Sequence, residues 1–101
     1  MSTAKTAVYF LETAAALLAE RGAHYDTPQG ERSMARTVTA FNAVTGREGE
    51  RALSEAEGWL LLQLLKDVRQ WTKQPRYHAD SAEDCVSYAA LKAEALVNAK
   101  V

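Results

Sequence analysis

Apolar residues recur at three- and four-residue steps in four stretches of the chain, and polar or Gly/Pro-containing segments separate them. That period is the signature of amphipathic α-helices. The first stretch predicts a helix over 6–21, with Val8, Leu11, Ala15 and Leu18 on its apolar face and Gly22 ending it. The polar segment His24-Tyr25-Asp26-Thr27-Pro28-Gln29-Gly30 reads as a loop. A second helix is expected over 31–45, with Met34, Val38, Phe41 and Val44 on one stripe and Gly46 as its stop. After the charged connector Arg47-Glu48-Gly49-Glu50-Arg51, Ser54-Glu55-Ala56-Glu57 has the form of a capping box. It opens a third helix over 54–72 that carries Leu61, Leu64, Leu65 and Val68 inward and ends before Pro75. A fourth helix is expected over 81–98, capped by Asp80 or Ser81, with Val86, Ala89, Ala90, Ala93 and Val97 forming a slim apolar face.

Composition supports this division. Nineteen of the 101 residues are Ala and eleven are Leu, whereas Val is the only β-branched aliphatic and Ile is absent. Ala and Leu favour helices and β-branched residues favour strands, so the expected fold class is all-α. Long helices joined by short turns pack antiparallel, which makes a four-helix bundle spanning 1–101 as one domain the economical architecture. No internal repeat or low-complexity segment interrupts it.

Charge and cysteine content narrow the function classes. Twelve Lys and Arg against thirteen Asp and Glu leave a net charge of −1, which offers no electrostatic reason to bind duplex DNA or an anionic membrane. The apolar run Leu60–Leu65 is interrupted by Gln63 and stopped by Lys66, far short of a membrane span. The first residues carry no secretory signal pattern, and Cys85 has no second cysteine for a disulfide. A cytoplasmic protein is therefore expected.

Candidate chemistry sits on the third and fourth helices. Asp80 and Asp84 are one turn apart and could converge on a divalent ion; magnesium takes one or two protein carboxylates together with phosphate oxygens and water. Lys66 and Arg69, three residues apart, could hold the phosphates of a ligand. Glu31 is a third candidate carboxylate, and Tyr88, one turn past Asp84, could bond that residue or a ligand. Each residue has a plainer role beside this one. Acidic residues in a first turn are favoured by the helix dipole at ~0.3–1 kcal/mol each, and Lys66 and Arg69 could lie on a solvated face. Trp59 and Trp71 read as core or interface packing, and Cys85 as a small core residue.

An ordered set of motifs runs through the chain: Tyr25-Asp26, Glu31-Arg32-Ser33-Met34, Phe41-Asn42-x-x-Thr45-Gly46 and Leu53-Ser54-x-x-Glu57-Gly58-Trp59. It continues through Leu64-Leu65-Lys66-x-x-Arg69 to Asp80-Ser81-x-x-Asp84-x-x-x-Tyr88-x-x-Leu91. Over roughly residues 14–97 this set resembles small phage and prophage proteins of unassigned function, the DUF6378 type. More distantly the chain is similar to the MazG-like all-α NTP pyrophosphohydrolases. That second resemblance implies a magnesium-dependent cleavage of nucleoside triphosphates and assembly as dimers or larger; the phage resemblance implies a cytoplasmic location in the host cell. Asp80 and Asp84 are a partial counterpart of one of the distant family's metal-binding motifs; a metal site rebuilt in this chain would take Glu31 with Asp80 and Asp84 as ligands, with Glu31 and Asp84 as the catalytic residues. Lys66, Arg69 and Tyr88 are then the nucleotide-binding residues.

The chain departs from the distant family where that family has a pair of carboxylates and this one has Lys66-x-x-Arg69. Cations there repel magnesium but attract phosphate. The expectation is accordingly a nucleotide-related protein, either a pyrophosphohydrolase with an altered metal site or a non-catalytic accessory protein that binds a nucleotide or a host protein. A homo-oligomer is also expected, because a slim bundle has little core and the third helix has apolar residues to spare.

Overall fold

A computed structural model of the chain describes residues 5–25, 33–72 and 76–99. Among the described residues it has four α-helices and no strand. These are α1 (Ala7–Tyr25), α2 (Ser33–Thr45), α3 (Glu55–Thr72) and α4 (Ala79–Asn98), with a short 3-10 turn at Gly49–Arg51. The extensive packing runs in succession: α1 lies on α4, α4 on α3, and α3 on α2.

Helix ends follow local chemistry. Thr6 caps α1 by accepting the Tyr9 N–H on Oγ1 at 3.2 Å. At the end of α2, Gly46 adopts φ +69°, and Gly46 and Arg47 donate to the carbonyls of Ala43 and Asn42. Those paired bonds are a Schellman motif, so Gly46 stops the helix as the sequence predicts. The capping box also forms: Ser54 N–H donates to Glu57 Oε1 at 2.8 Å, and Glu57 N–H donates to Ser54 Oγ at 3.0 Å. The Ser54 amide holds the Glu57 carboxyl below its usual range.

Two ends differ from expectation. Helix α1 continues through Gly22, which is buried inside it, to Tyr25. A glycine costs a helix interior only about 1 kcal/mol relative to alanine. The adjacent Arg21 is tied to α4 through Asp84, and that anchor supports the extra turn. Helix α4 is capped by His78 rather than by Asp80 or Ser81, starting two residues early. The His78 ring Nδ1 accepts the Ser81 N–H at 3.3 Å and lies 2.6 Å from Ser81 Oγ.

The corner between α2 and α3 is fixed by a pair of hydrogen bonds and a close helix approach. Asn42 grips the connector with both ends of its amide, donating to Leu53 O at 2.9 Å and accepting Leu53 N–H at 2.8 Å. Helix α2 then crosses α3 at Gly58, where a Cβ would stand 2.5 Å from Met34 Sδ and 3.0 Å from Val38 Cγ1. Only glycine permits that approach. Met34, Val38, Trp59 and Leu91 form the buried core, supported by Leu18, Leu53, Leu62, Tyr88 and Ala95. At the opposite end of the molecule the Lys5 ammonium lies over the rings of Tyr9 and Tyr77, and Phe10 meets Tyr77 edge-on.

The core is small because most expected apolar faces point outward. Leu61, Leu64, Leu65 and Val68 are exposed, not inward, and so are Val8, Leu11, Phe41, Val44 and Val97. Ala15, Ala90 and Ala93 are exposed too. On α3 the face turned to α4 instead carries Gln63, Lys66, Asp67 and Gln70 below Trp59 and Leu62. Successive helical residues are 100° apart, so a helix with Lys66 turned toward α4 must turn Leu61, Leu64 and Val68 away.

Candidate functional site: a charged cluster between helices α1, α3 and α4

The α3/α4 contact is polar where a helix pair ordinarily interleaves aliphatic side chains. Lys66, projecting from the middle of α3, is only 8% exposed, and Asp84, in the second turn of α4, is 5% exposed. Lys66 Nζ lies 2.8 Å from Asp84 Oδ2 and donates to Asp80 Oδ2 at 3.2 Å. Asp84 Oδ1 in turn accepts from Arg21 Nη2 of α1 at 3.1 Å. Two cations and two carboxylates thus alternate across three helices and balance locally. Hydrogen bonding to Asp84 holds the Lys66 ammonium above its usual value, although burial pulls the other way.

The surrounding seam is polar as well. Cys85 Sγ donates to Asp67 Oδ1 at 3.3 Å, and burial is the main cause that pushes its thiol up. Gln70 fastens the segment before α4: its Nε2 donates to Arg76 O and its Oε1 accepts His78 N–H. Ser81 and Ser87 are fully buried on α4, and the Gln63 Oε1 atom is buried with no hydrogen-bond partner among the described residues. Burying this much polar surface stabilises little by itself, so the seam orders the helices more than it drives them together.

Of the residues singled out in the sequence, Lys66, Asp80 and Asp84 meet in this cluster. Arg69 is exposed on α3, and the guanidinium in the cluster belongs to Arg21, which sequence spacing does not reveal. Tyr88 stacks on Trp59, with ring centroids 5.7 Å apart and planes at 25°. Glu31 lies outside the described residues.

Could the cluster hold magnesium? One oxygen of each carboxylate, Asp80 Oδ2 and Asp84 Oδ2, does converge on one cation, and that cation is the Lys66 ammonium. Both oxygens of Asp84 are engaged, and among the described residues no group of three His, Cys, Asp or Glu is placed to hold a metal ion. With Lys66 in position these residues do not fit magnesium. An apolar cavity of about 420 Å³ between α1 and α4, lined by Ala7, Phe10, Leu11, Ala82 and Val86, offers a phosphate no charged group among the described residues. None of the helices is long and apolar enough to cross a membrane among the described residues.

Comparison of the chain with family models, with curated proteins and with solved structures finds no match in any of the three.

The cluster carries a pH signature. Lys66 and Cys85 both have folded values raised above their ordinary 10.5 and 9.0. A raised value means stability that is fully present below the unfolded value and is lost as pH rises through the folded one. The urea midpoint should therefore be flat at neutral pH and fall above 9.0, then more steeply above 10.5. Cys85→Ala should remove the earlier part of the decline. A midpoint that rises on the alkaline side would contradict the arrangement.

Proposed function

We propose that the chain is a nucleotide-binding helical protein of the phage type it resembles, in which Lys66 receives a ligand phosphate. The observation that carries this reading is the asymmetry of the two aspartates. Asp84 is buried and fixes Lys66 from within, whereas the Asp80 side chain is 68% exposed on the outer side of the same ammonium. An exposed ion pair is worth only about 0–1 kcal/mol, so water or a phosphate oxygen can replace Asp80 at little cost. Lys66 is then a buried, oriented point charge with a donor toward solvent, and Asp80 is a carboxylate standing in a phosphate's place. Lysine is a common phosphate ligand in this role.

Calorimetry and thermal shift with a panel of nucleoside and deoxynucleoside mono- and triphosphates test the reading. A bound nucleotide at a hundred times its dissociation constant should add about 2.7 kcal/mol of stability. Asp80→Asn should tighten binding by removing the competitor, and Lys66→Met should abolish it. Opposite effects of these two variants are the expected result. No stabilisation by any nucleotide would sink the proposal.

A magnesium-dependent pyrophosphohydrolase is the second reading, favoured by the convergence of Asp80 and Asp84 on a single cation position. It requires the metal to displace Lys66. Pyrophosphate release from a triphosphate, lost in Asp84→Asn, would select it over simple binding.

A further inference from the structure

Helix α3 has a second face that neither the core nor the charged cluster uses. Leu60, Leu61, Leu64, Leu65, Val68 and Trp71 are all between 40% and 64% exposed along it. Leu61, Leu64, Val68 and Trp71 recur at alternating steps of three and four, the spacing of a helix–helix seam, and Leu60 and Leu65 flank them.

We propose that this face is the contact of a two-fold homodimer in which α3 pairs antiparallel with α3 of a second copy. A second copy fits because an apolar stripe of uniform character is its own complement across a two-fold axis. Direction follows from charge. Glu57 is exposed at the start of the stripe and Arg69 near its end. Antiparallel pairing brings each acidic end toward the basic end of the other copy, whereas parallel pairing sets Glu57 against Glu57. With the axis between Leu64 and Leu65, Leu61 faces Val68 of the second copy. The polar face of α3 stays turned to α4, so one helix serves both the charged cluster and the dimer.

Sedimentation of the full chain at micromolar concentration should give twice the 11.1 kDa chain mass. Leu61→Glu combined with Leu64→Glu should give a monomer with unchanged helical circular dichroism. Where that variant fails to fold, single cysteines in a Cys85→Ser background decide the matter. Leu64→Cys lies near the axis and should link two copies on oxidation. Leu61→Cys should not, since antiparallel pairing separates the two copies of residue 61 by about 10 Å along the helix. That exceeds the ~7 Å a disulfide can span between Cα atoms. A monomer across the concentration range, or linking of Leu61→Cys as readily as Leu64→Cys, would overturn the proposal. So would a monomer that co-sediments with phosphatidylserine vesicles, which would assign the face to a membrane surface.

Discussion

Asp84→Ala is expected to cost about 3–5 kcal/mol, the range for breaking a buried ion pair by removing one partner. For a domain of this size each kcal/mol shifts the melting midpoint by roughly 4–8 °C, so the loss should exceed about 10 °C. The reason is what remains behind. Lys66 stays buried with its inner acceptor gone, and Arg21 loses the carboxylate that joins α1 to α4. Among the described residues, the exposed Asp80 alone is left to balance Lys66. The converse is sharper still: Lys66→Met with Asp84→Leu leaves no unpaired Lys66 charge behind, so the double variant should lose clearly less than Asp84→Ala alone, keeping only the cost of the lost Arg21 contact. Asp80→Asn should cost less than about 1 kcal/mol, as befits an exposed pair. Urea denaturation of the four proteins decides the case. Asp84→Ala within about 0.5 kcal/mol of the natural chain would show that the cluster does not bind the helices together.

This cluster also illustrates what spacing in a sequence reveals. Asp80 and Asp84 were legible as a pair because one-turn spacing within a helix is a local property; that Lys66 meets them while Arg69 does not is a matter of helix orientation. Legible too were the stop at Gly46 and the box of Ser54 and Glu57, which depend on bonds within four residues. Much of the motif set turns out to be architectural: Met34, Asn42, Leu53, Gly58 and Trp59 all build the α2/α3 corner. The orientation of α3 was not legible. Periodicity gives the angles between residues on one helix but not which side meets its neighbour. Hydrophobicity assigned the leucines to the core, while charge pairing with α4 turned Lys66 inward instead. Arg21 was missed because its partner Asp84 is 63 positions away and nothing local marks it. His78 was missed because an imidazole accepts a capping bond less often than Ser or Asp.

The two tryptophans should separate the folded core from the outer face of α3. Trp59 is 3% exposed, belongs to a buried core of four residues, and stacks on Tyr88. Truncating a buried tryptophan to alanine costs about 3–5 kcal/mol, the transfer free energy plus the cavity left behind. The cavity term should be near its upper end, because Gly58 beside it already brings α2 to its closest approach and cannot supply atoms to fill a void. Trp71 is 64% exposed, so Trp71→Ala should leave the stability of an isolated chain within about 0.5 kcal/mol. Its effect should emerge only with rising protein concentration, as association through α3 adds stability by mass action. Fluorescence reads both sites directly. In Trp71→Phe the emission of Trp59 should be blue-shifted and independent of concentration, then move red on unfolding. In Trp59→Phe the emission of Trp71 should be red at high dilution and shift blue as copies associate. If Trp59→Ala proves no more costly than Trp71→Ala, the core does not lie at the α2/α3 corner; if Trp71 emission ignores concentration, the exposed face of α3 is not where copies meet.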